Sequence, residues 1–324
     1  MIFLKTNSVD PAFNLACEEY YLRDTELDVF MLWQNSPVVV IGKNQDIYNE
    51  IDFDYAEKNK ISFIRRITGG GAVYHDLGNI NFSFITSDTR AKSLDFEYFT
   101  APIIGALKSM GLNASLSGRN DIIADDRKIS GNAQYSSRGR ILHHGTLLFD
   151  SRLDVLSKVL KPPIEKLESK KIRSVRSRVA NVKELIGGDM SVGDFFAHLE
   201  SFILSYFSCE SAYCDEKAVR NSPYISKYTQ SDFIFGRRRS YSFIKKRKYP
   251  FGSLGFCFDV EDGVITAFEL EGDFFALKDT DPFAAAVVGC PFNEASLVEL
   301  FGRIKCDSFF SGLDPKSLSE HILS

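Results

Sequence analysis

Residues 65–76 carry the strongest local signal for chemistry, because three consecutive glycines follow a pair of arginines. The segment reads Arg65-Arg66-Ile67-Thr68-Gly69-Gly70-Gly71-Ala72-Val73-Tyr74-His75-Asp76. Glycine lets backbone amides approach a ligand closely, and arginine supplies positive charge with planar donor geometry. We therefore predict an anion-binding loop. The same residues also fit a flexible loop beside a solvated arginine pair. The segment is not a Walker A motif, because no Gly-Lys-Ser/Thr follows the glycines.

A second segment places a lysine and an aspartate at the starts of short apolar runs. Asp121 begins the run at residues 121–124, and Lys128 begins the run at residues 128–134. Lys128 would point its ammonium group into a cleft if that face of the strand is the concave one. A lysine in this position is more often simply solvated, and Asp121 also fits a turn cap.

The pair His143-His144 invites comparison with a metal site. Adjacent side chains of a strand face opposite ways, so the two histidines cannot readily bind one ion. We interpret them as structural or hydrogen-bonding residues.

The elements that must position these residues alternate between helices and strands. Helical spacing predicts helices at residues 10–23, where Asp10-Pro11 is a typical start, and at 96–110, before Gly111. The apolar runs 29–33 and 38–41 flank a turn signal and suggest a hairpin, and further strands are predicted at 61–64 and 81–85. The runs at 121–124, 128–134 and 140–149 predict an antiparallel meander. This pattern indicates an α+β fold and disfavours a doubly wound parallel sheet.

The C-terminal part has its own set of elements. A polar, basic segment at residues 161–178 is predicted to be a long loop, of the kind that often acts as a lid, and a helix follows at 190–208. A hairpin at 253–260 and 264–270 is followed by helices near 282–288 and 293–304. We therefore predict two domains, a large one at residues 1–236 and a small one at 237–324, with no internal repeat.

Composition limits the class of protein. The chain has 324 residues, of which 44% are apolar and 25% charged, and a formal net charge of -4, so no global charge indicates nucleic-acid binding. The N-terminus lacks the features of a secretory signal, and no apolar run is long enough to span a membrane, so we expect a cytoplasmic protein without membrane partners. Six scattered cysteines without Cys-x-x-Cys spacing are expected to be reduced and mostly buried.

Taken in order, the motifs resemble those of the lipoate-protein ligase A family. They are the glycine segment, Gly-Arg-Asn-Asp at 118–121, Arg-Lys-Ile-Ser-Gly-x-Ala at 127–133, His-His-Gly-Thr-Leu-Leu at 143–148 and Ser-Val-Arg-Ser-Arg-Val-Ala-Asn at 174–181. The resemblance implies a catalytic domain of the biotin and lipoate ligase type, with a mixed or antiparallel sheet, and a small α+β accessory domain. It also implies an ATP-dependent enzyme that forms lipoyl-AMP and lipoylates a lysine of an acceptor.

The resemblance also implies roles for individual residues. Arg66 and the backbone of Gly71, Ala72, Val73 and Tyr74 are expected to contact the nucleotide. Lys128 is expected to touch both the lipoate carboxylate and the α-phosphate, Asp121 is a candidate Mg²⁺ ligand, and residues 174–181 would fold over the adenylate. The family commonly has serine at position 68, and Thr68 keeps the hydroxyl. The implied acceptors are the lipoyl domains of 2-oxoacid dehydrogenase complexes and the glycine cleavage H protein.

Two other functions stay open. An octanoyl- or lipoyl-transferase of the same superfamily needs no ATP but uses a nucleophilic cysteine, and no cysteine lies between Cys17 and Cys209. A nucleic-acid-binding protein could use the basic runs at 166–178 and 237–248, where aromatic residues interleave with positive charge. Such runs are usually solvated, and the second one also fits an edge strand or a docking site for an acidic acceptor.

Overall fold

The computed structural model describes residues 1–87, 94–161, 178–236 and 240–324. The strands are β1 (Ile2–Lys5), β2 (Val29–Trp33), β3 (Val38–Ile41), β4 (Ser62–Arg65), β5 (Val73–His75), β6 (Asn79–Ser87), β7 (Ala114–Ser117), β8 (Asp121–Ala124), β9 (Arg127–Ser137), β10 (Arg140–Leu148), β11 (Ser211–Tyr213), β12 (Phe243–Tyr249), β13 (Gly252–Glu261) and β14 (Val264–Glu271). The predicted lid at 161–178 lies almost entirely outside the described residues.

The described residues also form α-helices between these strands in sequence and after the last of them. They are α1 (Pro11–Arg23), α2 (Ile47–Glu50), α3 (Phe53–Lys58), α4 (Phe96–Ser109), α5 (Leu153–Val159), α6 (Val182–Ile186), α7 (Val192–Phe207), α8 (Glu216–Asn221), α9 (Pro223–Thr229), α10 (Ser231–Phe235), α11 (Asp281–Val287), α12 (Glu294–Arg303) and α13 (Pro315–Leu323), with a 3-10 turn at Cys306–Ser308. No helix in the described part of the chain is long and apolar enough to cross a membrane.

The first helix forms where the sequence predicts it. The Asp10 carboxylate accepts a hydrogen bond from the Ala12 amide at 3.0 Å, and Pro11 occupies the first turn. Helix α4 likewise ends before Gly111, which has a positive φ of 85°. Both predicted helices are therefore confirmed.

The central sheet has eight strands in the order β11-β1-β2-β6-β10-β9-β8-β7. Strand β1 pairs in parallel with β2 and β11, and every other pairing in this sheet is antiparallel. The predicted meander, which forms β8 to β10, and the α+β architecture are thus confirmed, and the structure adds β7 to the meander.

The predicted hairpin of β2 and β3 is wrong. Strand β3 lies in a separate three-stranded sheet, in which it pairs with β4 in parallel and with β5 in antiparallel fashion. Both strands are fully buried, and each pairs on both of its edges with other strands, β2 with β1 and β6 and β3 with β4 and β5. The turn between them is held by Asn35, whose side chain bonds Asn14 and His75 instead of closing a hairpin.

Two hydrophobic clusters cover the two faces of the central sheet. Helices α4 and α7 pack on one face, where Phe82 and Phe84 are buried. Helix α1 packs on the other face together with β3 of the small sheet. The junction of the two sheets on this second face is where the candidate site lies.

The C-terminal residues build a cluster of their own. Strands β12, β13 and β14 form an antiparallel sheet in that order, and α11, α12 and α13 contribute to the same hydrophobic cluster. The predicted hairpin of β13 and β14 is confirmed. The predicted boundary at residue 237 falls on residues 237–239, outside the described part, and stays a prediction.

Strand β12 accounts for the described part of the second basic run. Within the described ranges it pairs with no strand other than β13, so it lies at the edge of the three-stranded sheet. The edge-strand interpretation is therefore confirmed for this segment. The run at 166–178 lies outside the described residues except for Arg178.

Candidate active site

A cavity of about 280 Å³ lies between the two sheets and the C-terminal elements. It brings together most of the residues predicted from the sequence. Its lining includes Arg66, Gly71, Ala72, Val73, Asp121 and Lys128. Tyr74 is absent from the described lining, because its ring packs in the hydrophobic cluster on the far side of the small sheet.

The glycine loop is folded around the guanidinium group of Arg66. Nε donates to the Thr68 hydroxyl at 2.8 Å, and Nη2 donates to the carbonyls of Gly69 and Gly71 at 2.7 and 2.8 Å. Nη1 donates to the Val40 carbonyl at 3.2 Å. Burial lowers the pKa of Arg66 to about 10, although Asp273 and Glu18 act in the opposite direction and raise it. Arg66 is therefore a charged scaffold for the loop as well as part of the cavity wall.

This arrangement sets the direction of the loop amides. In a trans peptide the N–H points away from the preceding carbonyl, so the Ala72 amide points away from Arg66, which binds the Gly71 carbonyl. Ala72 lines the cavity. The glycine loop therefore forms part of the cavity wall, and its anion-binding role stays a prediction.

Arg65, although adjacent, has a structural role. Its guanidinium donates to the carbonyls of Gly42, Lys43 and Gln45 at 2.8 to 3.1 Å and to those of Phe233 and Ile234 at 3.0 Å. Burial lowers its pKa to about 10 as well. Of the arginine pair, Arg66 lines the cavity and Arg65 ties the surrounding loops together.

Gly42 packs directly against the backbone of the glycine loop, so its replacement tests the importance of this contact. A Cβ at position 42 would lie 2.0 Å from the Gly70 carbonyl oxygen, which belongs to the backbone and cannot rotate away. We expect Gly42→Ala to displace the loop, to reduce stability by about 1–3 kcal/mol and to weaken nucleotide binding. Thermal unfolding and calorimetric titration with ATP measure both effects. Gly302→Ala is the matched control, because a Cβ there meets nothing within 4 Å; equal losses in both variants would contradict the expectation.

Lys128 and Asp121 face each other across neighbouring strands β9 and β8. Lys128 Nζ lies 2.7 Å from Asp121 Oδ1, and both side chains are partly exposed. The lysine crosses over Gly131, where an added Cβ would come within 3.1 Å of Nζ. Lys128 is therefore an ion-paired amine at the cavity wall, and the sequence alone could not show this orientation.

The two adjacent histidines point to different environments. His143 stacks on Phe99 with ring centroids 4.8 Å apart, and burial lowers its pKa well below the usual value. His144 lines the cavity and contacts Glu18 and Thr68. The ring nitrogens of His143 lie 3.0 and 3.2 Å from the side-chain amides of Gln134 and Asn132, so both histidines are hydrogen-bonding residues, as predicted.

His75 is a cavity residue whose tautomer follows from its neighbours. The Asn14 amide nitrogen is identified by its bonds to the carbonyls of Ser8 and Gln34, so it donates to Asn35 Oδ1 and leaves Asn35 Nδ2 to donate to His75 Nδ1. Burial lowers the pKa of His75 to about 3, which keeps the ring neutral with its proton on Nε2. In the described chain this Nε2 has no hydrogen-bond partner. Our sequence reasoning did not single out His75, although it belongs to the glycine segment.

The C-terminal elements contribute one wall of the cavity. The Phe274 carbonyl accepts a hydrogen bond from the Gly70 amide at 3.2 Å, and Asp273 and Phe275 line the cavity. The Arg119 guanidinium lies 4.5 Å from the Phe275 ring centroid and 3.4 Å from Asp273 Oδ1. Sequence reasoning missed this wall, because residues about 200 positions apart meet there without a local signal.

The cavity has both apolar and charged lining residues. Leu15, Trp33 and Val40 supply apolar surface from the cluster beneath the sheet. Arg119, Asp121 and Lys128 supply charge. Such a lining suits a ligand with an apolar chain and an anionic head.

Two family models match the chain. The model for the lipoyl protein ligase A/B catalytic domain matches residues 10–203, and the model for the bacterial lipoate protein ligase C-terminus matches residues 239–322. Among curated proteins, lipoate-protein ligase LplJ of Bacillus subtilis (strain 168) is 39% identical over 321 residues, which cover 97% of each chain.

Solved structures agree in fold. The structure of P. falciparum LipL1 in complex with lipoate has a TM-score of 0.84 at 23% identity and covers 99% of each chain. The structure of lipoate-protein ligase A bound with ATP has a TM-score of 0.62 at 28% identity and covers 72% of this chain and 98% of that chain. The α+β ligase-type fold expected from the motifs is therefore confirmed.

Proposed function

Because the chain belongs to the lipoyl protein ligase A/B family, we propose that it is an ATP-dependent lipoate-protein ligase. It activates lipoate with ATP to lipoyl-AMP, releases pyrophosphate, and transfers the lipoyl group to a lysine of an acceptor lipoyl domain. The main support from the geometry is that the Lys128 amine and the glycine loop line the same cavity. The ATP bound in the related ligase A supports the choice of nucleotide.

Adenylation requires a carboxylate to approach a polyanionic nucleotide, and fixed positive charge must offset the repulsion. Lys128 provides three rotatable donors at the cavity wall, enough to reach a carboxylate and an α-phosphate together. The same charge stabilises the phosphorus oxygens as negative charge builds on them in the transition state. Lys128 is thus the proposed catalytic residue, and its bond to Asp121 holds it at the wall before substrate enters.

The glycine loop is proposed to bind the nucleotide. Arg66 adds charge beside the loop, and Gly71, Ala72 and Val73 line the cavity with it. Tyr74 follows on β5 and would contribute only through its backbone, since its side chain packs on the other face.

Mg²⁺ is proposed to accompany the nucleotide. The carboxylates of Asp121 and Asp273 line the cavity, and Mg²⁺ is usually held by one or two carboxylates together with substrate phosphates, so the donors fit. Asp121 would hold the ion, which supplies charge stabilisation to the departing pyrophosphate.

Lipoate is proposed to place its chain against the apolar part of the lining. Leu15, Trp33 and Val40 offer this surface, and their burial excludes water from a hydrolysable adenylate. In the second half reaction the acceptor lysine is the nucleophile, so no covalent enzyme side chain is needed. The lipoyl domains of 2-oxoacid dehydrogenase complexes and the glycine cleavage H protein are the proposed acceptors, and a cytoplasmic location agrees with ATP as substrate.

An ATP-independent transferase is the alternative. Such an enzyme needs a cysteine at the acyl group, and all six cysteines lie in described parts of the chain. Cys17 is fully buried in α1, and the cavity lining includes no cysteine among the described residues. This observation favours the ligase.

The test is transfer to a purified acceptor lipoyl domain, followed by intact mass. With ATP, Mg²⁺ and lipoate we expect the acceptor to gain one lipoyl group, with pyrophosphate released. Without ATP the acceptor mass should stay unchanged. An acceptor whose target lysine is replaced by arginine is the control. Acylation from an octanoylated carrier protein in the absence of ATP would instead support the transferase.

A further inference from the structure

A buried carboxylate beneath the cavity has no lysine or arginine partner among the described residues. Glu18 on α1 is 2% exposed, and within the described parts of the chain its only partner at ion-pair distance is His144. A buried charge is costly unless it is paired and hydrogen-bonded. The neighbouring Glu19 is equally buried but has Arg23 and Lys227 as partners. Glu18 therefore needs a different source of compensation.

That compensation reaches Glu18 through a continuous chain of hydrogen bonds. His144 Nδ1 lies 3.0 and 3.1 Å from the two Glu18 oxygens, and His144 Nε2 lies 2.9 Å from the Thr68 hydroxyl. Thr68 in turn accepts from Arg66 Nε at 2.8 Å. These hydrogen bonds thus link the Arg66 guanidinium to the Glu18 carboxyl group through Thr68 and His144.

The proton positions in this chain follow from its two ends. Arg66 can only donate, so the Thr68 oxygen accepts from it and the Thr68 O–H is free to donate to His144 Nε2. His144 then carries its proton on Nδ1 and donates it to the carboxylate. On the other side of Glu18, Ser83 donates to Oε1 and receives the Trp33 indole N–H. With the imidazole in this tautomer, every donor in this hydrogen-bond chain has an acceptor.

This chain of hydrogen bonds ends at the glycine loop. Thr68 accepts a hydrogen bond from the Arg66 guanidinium, which also donates to the carbonyls of Gly69 and Gly71. These two carbonyls fix the orientation of their peptide planes, and so the direction of the amides in those planes. Without Thr68, Arg66 Nε would lose its acceptor in a buried environment. Rotation of the guanidinium would then release the loop carbonyls.

We propose that Glu18, His144 and Thr68 are positioning residues that hold Arg66 and the glycine loop in the geometry that binds the nucleotide. None of them needs to touch a reacting atom. This inference rests on the proposed function, since it assigns a purpose to the loop, but it concerns binding of ATP and not the identity of the acyl group.

The test compares Thr68→Val with Thr68→Ser. Valine keeps the shape and removes the hydroxyl, so we expect the Kd and KM for ATP to rise roughly ten- to a hundredfold, while the KM for lipoate changes by less than about threefold. Thr68→Ser should restore both ATP constants to within about threefold of the wild type. Thr100→Val is the matched control, because Thr100 is fully buried and its hydroxyl bonds only helix carbonyls away from the cavity.

Glu18→Gln provides a second variant that keeps volume and removes the charge. We expect the same selective rise in the ATP constants. Wild-type ATP affinity in Thr68→Val and Glu18→Gln would overturn the inference, as would equal losses for ATP and lipoate that serine does not restore. If the wild type binds ATP by calorimetry but fails to lipoylate acceptors, the proposed function fails while the inference on positioning remains testable.

Discussion

Replacement of Lys128 by alanine is expected to abolish formation of lipoyl-AMP while leaving the fold intact. The loss should be at least about a hundred- to a thousandfold in kcat, the effect of removing one preorganised donor from a developing negative charge. Stability should change little, because Lys128 is partly exposed and its bond to Asp121 lies at a solvated cavity wall. Pyrophosphate release with ATP and lipoate measures the first quantity, and thermal unfolding measures the second.

Lys183→Ala is the matched control for this prediction. Lys183 is about as exposed as Lys128 and pairs with Asp150 at 2.6 Å, but it does not line the cavity. It should retain nearly full activity. Near-normal synthesis of lipoyl-AMP by Lys128→Ala would refute the proposed role of the amine.

Replacement of Arg66 by alanine is expected to weaken ATP binding by about a hundredfold or more and to reduce stability by about 2–4 kcal/mol. The side chain satisfies three carbonyls and one hydroxyl in a buried position, and its loss leaves these groups unpaired. The loop then loses the adjacent positive charge of Arg66 and the hydrogen bonds that hold its conformation. Calorimetric titration with ATP and thermal unfolding distinguish the two effects.

Arg65 offers the control for Arg66. It is equally buried and bonds five carbonyls, yet it does not line the cavity. Arg65→Ala should therefore reduce stability with a smaller effect on ATP affinity. Unchanged ATP affinity in Arg66→Ala, or an equal loss in both variants, would count against a binding role for Arg66.

Local signals in the sequence predicted local structure well. Asp10-Pro11 and Gly111 placed the ends of α1 and α4, because caps and helix breakers act through adjacent backbone groups. The hairpin of β2 and β3 was wrong, because a turn signal does not determine which edges a buried strand will pair with. Pairing is decided by the whole sheet.

In the candidate site, too, local features were predicted from the sequence and long-range contacts were not. The glycine loop and Lys128 were identified as a motif, and the structure brings them to one cavity. The internal use of Arg66, the role of Glu18 and the wall formed by Asp273 and Phe275 were not predictable. Each depends on contacts between residues far apart in sequence, and a guanidinium next to a glycine loop looks the same in sequence whether it faces a ligand or backbone carbonyls.

The packing of Phe274 on Gly69 and Gly70 has a thermodynamic consequence. A Cβ on Gly69 would lie 2.2 Å from the Phe274 carbonyl oxygen, so the backbone of the C-terminal elements rests directly on the loop that faces the cavity. Any ligand that moves this loop also changes the free energy of that contact, and the coupling is reciprocal by linkage. Gly69 and Gly70 therefore couple ligand binding at the loop to the strength of its contact with the C-terminal elements.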